Sequence, residues 1–256
     1  MAYIQGCFHL VNVRKYNASC YDYLIFCPEI VALAKAGQFL HIRCGEKILR
    51  RPISICEINK EDETIRIVFD IRGEGTYWLA QKQVGDKLDI LGPLGNGFDL
   101  SDTNKRVLFV GGGIGVPPLL EAAKHFRGTA DAILGFKCSD CAVLIEDFQK
   151  ECAEIDITSD DGSMGEKGFV TSVFGNKIAT KTYDIIYACG PTPMLRAVSE
   201  IAATNGIPCF VSLEERMGCG VGACLVCACK IKSNSGINYK HVCKDGPVFN
   251  AEEVVW

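Results

Sequence analysis

The sequence of 256 residues has no hydrophobic run that approaches the roughly 20 apolar residues needed to span a bilayer. Met1–Leu10 has no basic segment followed by an unbroken apolar stretch, so it does not have the pattern of a signal peptide. An excess of basic residues is also missing, since 27 Lys and Arg stand against 31 Asp and Glu and the net charge is −4. These absences argue against a membrane protein, an exported protein and a nucleic-acid-binding protein, which normally needs a basic surface.

Cysteine is present in unusual number, with 15 residues in the chain. In a small secreted protein this count would indicate a disulfide framework, but this chain is long and has no export signal. We therefore interpret the cysteines as reduced thiols, a few of which bind a metal while the others are small core residues. The expected location is the cytoplasm.

Three regions with different patterns follow one another, and they predict domains at 1–100, 101–212 and 213–256. The first alternates short β-rich runs with turns, which indicates an antiparallel barrel; its predicted strands are Val11–Val13, Tyr23–Phe26, Phe39–Arg43, Ser54–Ile58 and Thr64–Asp70, with one helix at Thr76–Gln83. The second alternates strands with helices, from Arg106–Val110 to a final strand at Ile207–Leu213, which predicts a parallel-sheet α/β domain. The third, with a short hairpin predicted at Lys230–Ile237, is too small for a core of its own and needs a bound metal.

The third region gathers cysteines in a glycine-rich loop. Cys219, Cys224 and Cys227 have the Cys-x4-Cys-x2-Cys spacing of plant-type [2Fe–2S] proteins, with Cys243 as the distant fourth ligand. Small residues in this loop let the backbone approach a cluster whose sulfides accept N–H hydrogen bonds. Two alternatives stay open: Cys229 in place of Cys243, and a structural zinc site, which usually uses two short cysteine pairs.

Two motifs in the barrel region favour a phosphate-bearing ligand such as a flavin nucleotide. Arg51-Pro52-Ile53-Ser54 places a guanidinium, suited to a pyrophosphate, three residues before a hydroxyl that can bind a flavin nitrogen. Gly73-Glu74-Gly75-Thr76 opens the predicted helix, where free N–H groups and the helix dipole make an anion site. The alternatives are a surface arginine beside a turn and, for Thr76, a plain N-cap.

Two motifs in the α/β region are typical of nucleotide binding. Gly111–Gly115 follows a strand and precedes a helix, although a tight turn would also need glycine. Cys189-Gly190-Pro191-Thr192-Pro193-Met194 ends a later strand, where parallel sheets bind ligands, and Cys189 is either near a nicotinamide or a core thiol. The acids of Ser159–Ser163 either meet a ribose or cap a turn. Lys137–Cys141 has neither a clear ribose-binding acid nor an arginine pair, so NAD and NADP stay open.

In this order, the barrel and nucleotide motifs resemble those of the ferredoxin–NADP reductase superfamily over about residues 1–211. The tail, with Glu215–Cys224 followed by Val242–Phe249, is similar to that of the electron-transfer subunits of NAD-dependent (type B) dihydroorotate dehydrogenases. The resemblance implies FAD, a [2Fe–2S] cluster and NAD as cofactors. It also implies a separate FMN-bearing catalytic subunit as partner, two copies of each subunit in a heterotetramer, and a role in pyrimidine biosynthesis.

The same resemblance implies roles for individual residues. FAD contacts are implied for Arg51, Pro52, Ile53, Ser54, Val68, Phe69, Asp70, Gly75 and Thr76. Nicotinamide nucleotide contacts are implied for Gly111, Gly112, Gly113, Gly115, Cys189, Gly190, Pro191 and Met194. Many reductases carry an aromatic residue where Ile53 stands, so a stacking partner from that motif is missing. No residue is assigned a catalytic role.

Two other functions fit parts of the sequence. Related flavin subunits of NADPH:ferredoxin oxidoreductases, hydrogenases or sulfur reductases share the barrel and the nucleotide domain, but their cluster-binding tails differ. A non-catalytic scaffold with a structural zinc site would contain one zinc ion and no flavin, whereas the first interpretation requires iron, acid-labile sulfide and flavin.

Overall fold

The computed structural model describes residues 2–126, 128–233 and 236–256. The chain divides into two compact units. The barrel unit comprises Met1–Phe98, Glu214–Cys229 and Lys240–Pro247, and the sheet unit comprises Asp99–Leu213, Lys230–Tyr239 and Val248–Trp256. The tail after Leu213 therefore contributes residues to both units.

Six antiparallel strands form a closed barrel. In chain order they are β1 (Ile4–Lys15), β2 (Cys20–Phe26), β3 (Phe39–Ile42), β4 (Arg51–Asn59), β5 (Thr64–Asp70) and β6 (Lys87–Leu94), with short helices α1 (Pro28–Val31) and α2 (Glu74–Leu79). Their order around the barrel is β1-β2-β5-β4-β3-β6, and β6 pairs with β1 to close it. Because the barrel is closed, its six strands have no open sheet edge.

A buried aromatic cluster inside the barrel fixes the position of α2. Tyr23 is fully buried, and its ring meets that of Phe69 edge to face at 5.1 Å. Its hydroxyl donates a hydrogen bond to the carbonyl of Leu79 at 2.7 Å, because a buried hydroxyl needs a partner. The last residue of α2 is thus held against the barrel core.

The sheet unit is built around a seven-stranded sheet. Its elements begin with β7 (Val107–Gly112), α3 (Pro117–His125), β8 (Ala130–Phe136), α4 (Ile145–Glu151), β9 (Glu154–Ser159), β10 (Glu166–Lys167), α5 (Val170–Thr180), β11 (Ile185–Cys189), α6 (Thr192–Thr204) and β12 (Cys209–Ser212). The tail adds a hairpin of β13 (Ala228–Ser233) and β14 (Gly236–His241), and then β15 (Val248–Asn250). No helix within the described ranges is long and apolar enough to cross a membrane.

The strand order of this sheet is β10-β9-β8-β7-β11-β12-β15, and every pairing except β12 with β15 is parallel. The order reverses between β7 and β11, because the chain runs outward from β7 to β8 and β9 before it returns to β11 on the other side. The carboxyl ends of β7 and β11 therefore border a crevice of the kind in which open α/β sheets bind ligands.

The fold class predicted from the sequence is correct, but several predicted helices and strands are wrong, missing or have the wrong bounds. The strand predicted at Ile207–Leu213 is not the last of the sheet, because the tail returns β15 to pair with the open edge of β12. The prediction omitted α1, β6 and α5. The hairpin predicted at Lys230–Ile237 is longer on both sides, and positions 234 and 235 of that prediction lie outside the described residues.

Replacing Asp131 should destabilise the sheet unit at neutral pH. Its buried carboxylate accepts hydrogen bonds from the Tyr183 hydroxyl at 2.6 Å and the Lys181 ammonium at 3.1 Å. Burial alone would raise the pKa of Asp131, but these donors and the charge of Lys177 more than offset burial, so the pKa lies below its ordinary value. We expect Asp131→Asn to lower the free energy of unfolding by about 1–3 kcal/mol in urea denaturation at neutral pH.

The effect of Asp131 should depend on pH in a defined direction. A carboxyl group with a lowered folded-state pKa stabilises the fold above its unfolded-state pKa of about 4, and this contribution is lost as the pH falls below that value. The difference between wild type and Asp131→Asn should therefore shrink in acid, and Tyr183→Phe, which removes one donor, should cost less than Asp131→Asn. A difference that stayed constant from neutral pH into acid would contradict this account.

Candidate functional site

The first two predicted cluster cysteines lie together, surrounded by backbone donors. The Sγ atom of Cys219 accepts hydrogen bonds from the N–H groups of Val221 at 3.4 Å, Ala223 at 3.2 Å and Cys224 at 3.4 Å. The N–H group of Cys219 in turn donates to the Sγ atom of Cys224 at 3.3 Å. Burial opposes ionisation of Cys219, but the N–H donors and the Cys224 thiol outweigh it and lower the pKa of Cys219 to about 6.

The other two predicted cluster cysteines form a second pair. The N–H group of Cys243 donates to the Sγ atom of Cys227 at 3.4 Å, and that of Gly222 donates to the Sγ atom of Cys243 at 3.2 Å. Both cysteines are buried. Burial and the neighbouring Cys227 thiol raise the pKa of Cys243 to about 12. The loop and the distant cysteine thus meet, as the spacing predicts.

This arrangement fits two irons better than one zinc ion. Among the described residues, no three His, Cys, Asp or Glu side chains converge on a position for a single metal ion. The sulfurs form two pairs instead, which suits a [2Fe–2S] cluster because each iron takes two thiolates. Cys229 is directed elsewhere: its thiol donates to the carbonyl of Lys240 at 3.5 Å, and burial raises its pKa to about 11.

The cluster loop packs on a histidine that the sequence analysis did not single out. His41 lies in β3 and is fully buried, and a Cβ atom on Gly220 would be 2.6 Å from its Nδ1 atom. Burial and the charge of Arg50 lower the pKa of His41 to about 4, so the ring is neutral at neutral pH. One histidine among the apolar residues of a short strand gives no signal by which sequence reasoning could have found it.

Gly220→Ala should impair cluster binding. Gly220 has φ +75°, a backbone conformation that residues other than glycine rarely adopt. An added methyl group would also meet the buried His41 ring. We expect the variant to lose most of its iron, measured as iron per chain after anaerobic purification. Gly222→Ala is the matched control: its φ is +82°, but the added methyl would meet the exposed side chain of Lys244, which can move.

An equal loss of iron in both variants would show that the left-handed backbone, rather than contact with His41, limits cluster binding. Full iron content in Gly220→Ala would contradict the close approach of the loop to β3.

The two motifs of the barrel meet in space, as a pyrophosphate site requires. A Cβ atom on Gly75 would be 2.8 Å from the Cζ atom of Arg51, so the guanidinium fills the space that a side chain would need. The Nη1 atom of Arg51 donates to the carbonyl of Leu49 at 2.6 Å, which holds the guanidinium beside the first turn of α2. The N–H groups of a first turn have no partner within the helix, so cation and donors lie together.

Thr76 holds the loop in front of α2. It is the third residue of the helix and not its N-cap, which is Gly73. Its Oγ1 atom accepts hydrogen bonds from the N–H groups of Arg72 at 2.8 Å and Gly73 at 3.2 Å. The Thr76 hydroxyl is therefore occupied within the protein.

The remaining residues predicted to contact FAD differ in exposure. Pro52 is exposed, and Ser54 and Asp70 are half-buried. Ile53, Val68 and Phe69 are buried, and the Phe69 ring stacks on that of Tyr21 at 5.8 Å. The side chains of Ile53 and Phe69 belong to the barrel core.

The two glycine motifs of the sheet unit meet at the crevice where the strand order reverses. Gly111 and Cys189 are register partners at the ends of β7 and β11. A Cβ atom on Gly115 would be 2.5 Å from the carbonyl oxygen of Cys189, so only hydrogen fits there. Gly113 has φ +54° and open space around it.

The second motif closes over the first. A Cβ atom on Gly112 would be 2.6 Å from the Sδ atom of Met194 and 3.1 Å from Pro191, and one on Gly190 would be 2.7 Å from the Met194 methyl group. Cys189 itself is buried. Both α3 and α6 begin at this edge, but α3 opens with Pro117 and Pro118, which have no N–H group. The N-terminus of α6 and a floor without side chains therefore suit the phosphates of a nucleotide.

The acidic turn after β9 is held by its own side chains. The carboxylate of Asp161 accepts hydrogen bonds from the N–H group and the hydroxyl of Ser163, at 2.9 and 2.6 Å. The hydrogen bond from the Ser163 hydroxyl is the main reason that the pKa of Asp161 lies below its ordinary value. This geometry is that of a capped turn.

Comparison with known proteins shows to which family the chain belongs. It is 48% identical over 222 residues to the electron transfer subunit of dihydroorotate dehydrogenase B (NAD(+)) from Caldanaerobacter subterraneus subsp. tengcongensis, covering 86% of this chain and 87% of the relative. It is 46% identical over 234 residues to the corresponding subunit from Streptococcus mutans, covering 89% of each chain. The chain belongs to the family of dihydroorotate dehydrogenase B electron transfer subunits.

The tail carries the family's own signature. Residues 214–255 match the model for the iron–sulfur cluster binding domain of dihydroorotate dehydrogenase B. That range contains all four predicted cluster cysteines, Cys219, Cys224, Cys227 and Cys243. The match to the family's cluster domain and the two cysteine pairs of the structure therefore both indicate a [2Fe–2S] cluster in this tail.

Solved structures place the fold of this family member among flavin-dependent reductases. An NADH-dependent reduced ferredoxin–NADP oxidoreductase, studied for flavin-based electron bifurcation, superimposes with a TM-score of 0.88 and 32% identity, covering 98% of this chain and 90% of that one. A ferredoxin NADP+ reductase from Neisseria gonorrhoeae has a TM-score of 0.63 at 16% identity, covering 80% of this chain and 92% of that one, which shows the fold alone. The predicted ferredoxin–NADP reductase fold is confirmed.

Proposed function

We propose that this chain passes electrons from the catalytic subunit of a dihydroorotate dehydrogenase to NAD+, using a [2Fe–2S] cluster and FAD, in pyrimidine biosynthesis. The observation that carries the proposal is the cluster loop, where the sulfurs of two cysteine pairs accept hydrogen bonds from backbone N–H groups. The tail that contains this loop matches the family's cluster domain. The oxidation of dihydroorotate belongs to the partner, which binds FMN.

The bound groups supply the redox chemistry: the cluster exchanges single electrons, the flavin exchanges one or two, and NAD+ accepts a hydride. The protein supplies sites and electrostatics. Cys219 with Cys224 would hold one iron, and Cys227 with Cys243 the other. Backbone N–H groups that point at the sulfurs stabilise negative charge, which favours the reduced state of the site.

In the barrel unit, Arg51 and the first turn of α2 would bind the FAD pyrophosphate. The guanidinium is held by the Leu49 carbonyl and lies against Gly75, so it is oriented before the ligand arrives. The hydroxyl of Thr76 is occupied by the Arg72 and Gly73 N–H groups, so we propose that Thr76 shapes the loop. Pro52, Ile53, Ser54, Val68, Phe69 and Asp70 stay predicted FAD contacts.

In the sheet unit, the crevice between β7 and β11 would bind the nicotinamide nucleotide. Gly111, Gly112, Gly113 and Gly115 form the floor, while Cys189, Gly190, Pro191 and Met194 form the opposite wall. The family name supports NAD rather than NADP. Cys189 lies at the end of β11, at the edge where we place the ligand.

The remaining predictions concern the cellular setting. We propose a heterotetramer with two copies of this chain and two of the FMN-bearing catalytic subunit, located in the cytoplasm. The division into domains at 1–100, 101–212 and 213–256 stays a prediction about how the three cofactor sites are organised along the chain.

Steady-state assays of the purified holoprotein test whether this chain reacts with NADH while the partner oxidises dihydroorotate. We expect the chain to oxidise NADH with an artificial acceptor such as ferricyanide, and to leave dihydroorotate unchanged unless the catalytic subunit is added. Turnover of dihydroorotate by this chain alone would overturn the assignment of that chemistry to the partner.

A second function has a specific observation in its favour. The 32% identity and 0.88 TM-score to the ferredoxin–NADP oxidoreductase extend over 98% of this chain, so the flavin subunit of such an enzyme is the rival. Purification from the native cell, with analysis of the co-purifying chains, discriminates the two. An FMN protein that turns over dihydroorotate supports our choice, and an iron–sulfur protein that turns over ferredoxin supports the rival.

A further inference from the structure

The loop after β8 carries two cysteines that are separated by two residues. The Sγ atoms of Cys138 and Cys141 are 3.4 Å apart; Cys138 directly precedes a short 3-10 turn over Ser139–Cys141, and Cys141 is the last residue of that turn. The N–H group of Cys141 donates to the carbonyl of Cys138 at 3.0 Å, which closes the turn. A disulfide bond is about 2.0 Å long, so the two sulfurs would have to approach each other by about 1.4 Å to form one.

These two thiols are also unusually accessible for this chain. Ten of the 15 cysteines are buried, and two of the other five, Cys219 and Cys224, belong to the cluster loop. Outside that loop, Cys7 and Cys141 are exposed and Cys138 is half-buried. Cys7 is not part of a Cys-x-x-Cys sequence. Proximity and accessibility therefore coincide at one place outside the cluster.

We propose that Cys138 and Cys141 form a dithiol–disulfide couple that reacts with small-molecule disulfides. The more exposed Cys141 attacks one sulfur of the disulfide as a thiolate, which forms a mixed disulfide and releases the first thiol. Cys138 then attacks the sulfur of Cys141, which forms the internal bond and releases the second thiol. Two protein thiols are oxidised, the small disulfide is reduced to two thiols, and the two protons pass to these products.

The position of the couple connects it with the crevice edge of the sheet unit. β8 ends at Phe136, and its Gly135 is the register partner of Gly112 in the glycine loop. The N–H group of Ser139, between the two cysteines, donates to the Ser163 hydroxyl at 2.8 Å. A bond across this turn would therefore fix a loop that is joined to the turn after β9. The inference requires neither the cluster nor the flavin, so it stands apart from the proposed function.

Thiol mapping of the full-length holoprotein tests the couple. The protein is equilibrated anaerobically with glutathione and glutathione disulfide at several ratios, alkylated, digested and analysed by mass spectrometry. In wild type, we expect Cys138 and Cys141 to lose alkylation together and to regain it on reduction. In Cys138→Ser the resolving thiol is gone, so glutathione should accumulate on Cys141 at least about tenfold above wild type.

Two results would overturn the proposal. One is that both cysteines stay fully alkylated at a ratio at which Cys7 carries glutathione. The other is that Cys138→Ser accumulates no more mixed disulfide on Cys141 than wild type does. Thermal unfolding midpoints of wild type and Cys138→Ser are compared first, and Cys141→Ser serves as the second variant if Cys138→Ser is destabilised.

Discussion

Cys243→Ser should abolish the [2Fe–2S] cluster, reducing the iron content from about two per chain to near zero. Cys243 pairs with Cys227, and its Sγ atom accepts a hydrogen bond from the N–H group of Gly222. The variant would therefore leave one iron without its second thiolate. Iron and acid-labile sulfide assays, with the visible spectrum, measure the loss. FAD should be retained, because the pyrophosphate site that we propose uses Arg51 and the first turn of α2.

Cys229→Ser is the matched control for Cys243→Ser. Both cysteines are buried, both follow the cluster loop in sequence, and both substitutions exchange sulfur for oxygen. The thiol of Cys229, however, donates to the Lys240 carbonyl, a role that a hydroxyl can also fill. Cys229→Ser should keep its cluster. The reverse result, with iron lost in Cys229→Ser and kept in Cys243→Ser, would assign the fourth ligand to Cys229.

Gly115→Ala should weaken NADH binding by more than about tenfold, which corresponds to roughly 1.4 kcal/mol or more. The added methyl group would be 2.5 Å from the carbonyl oxygen of Cys189 and 2.6 Å from the Cα atom of Gly190. Both contacts are with backbone, so the floor of the crevice must move away from the opposite wall to accept the methyl group. The KM for NADH in the ferricyanide assay measures the effect, and iron and FAD contents should not change.

Gly175→Ala is the control for a glycine substitution in the same unit. Gly175 lies in α5, and a Cβ atom there would have nothing within 4 Å. Alanine is also the better helix former, so the KM for NADH should equal that of wild type. An unchanged KM in Gly115→Ala would mean that the crevice between β7 and β11 does not bind the nucleotide.

Long-range periodicity and loop composition were enough to predict the fold class, and local sequence explains the elements that were missed. β6 contains Gly92-Pro93, which is typical of a turn, although Leu88 and Ile90 alternate into the core as strand residues do. α1 has only four residues, too few for a periodic pattern. β15 has only three, and it forms because the tail is delivered to the open edge of β12.

α5 was missed although its signal was present. Its buried residues Val170, Val173, Phe174 and Lys177 have the three- and four-residue spacing of a helix face. β-Branched residues and Gly175 lower the intrinsic helix propensity of this segment and hide that spacing. Burial of that face against the sheet decides the structure.

The residues that carry the chemistry of each site were easier to predict from sequence than the tertiary contacts that hold those residues in place. The cysteine spacing identified the four sulfurs that the structure brings together, because ligand spacing is set by the cluster itself. The contact of His41 with Gly220 and that of Arg51 with Gly75 join distant parts of the chain, and only the folded barrel creates them. The role of Thr76 was likewise open until its backbone partners were known.

Dihydroorotate-dependent reduction of NAD+ by the reconstituted pair tests the central claim most directly. The holoprotein is combined with the FMN-bearing catalytic subunit, and NADH formation is followed with dihydroorotate as the electron donor. We predict NADH formation that requires both chains and is lost when this chain carries Cys243→Ser. NADH formation by the catalytic subunit alone, or undiminished formation with a Cys243→Ser chain that lacks iron, would contradict the account.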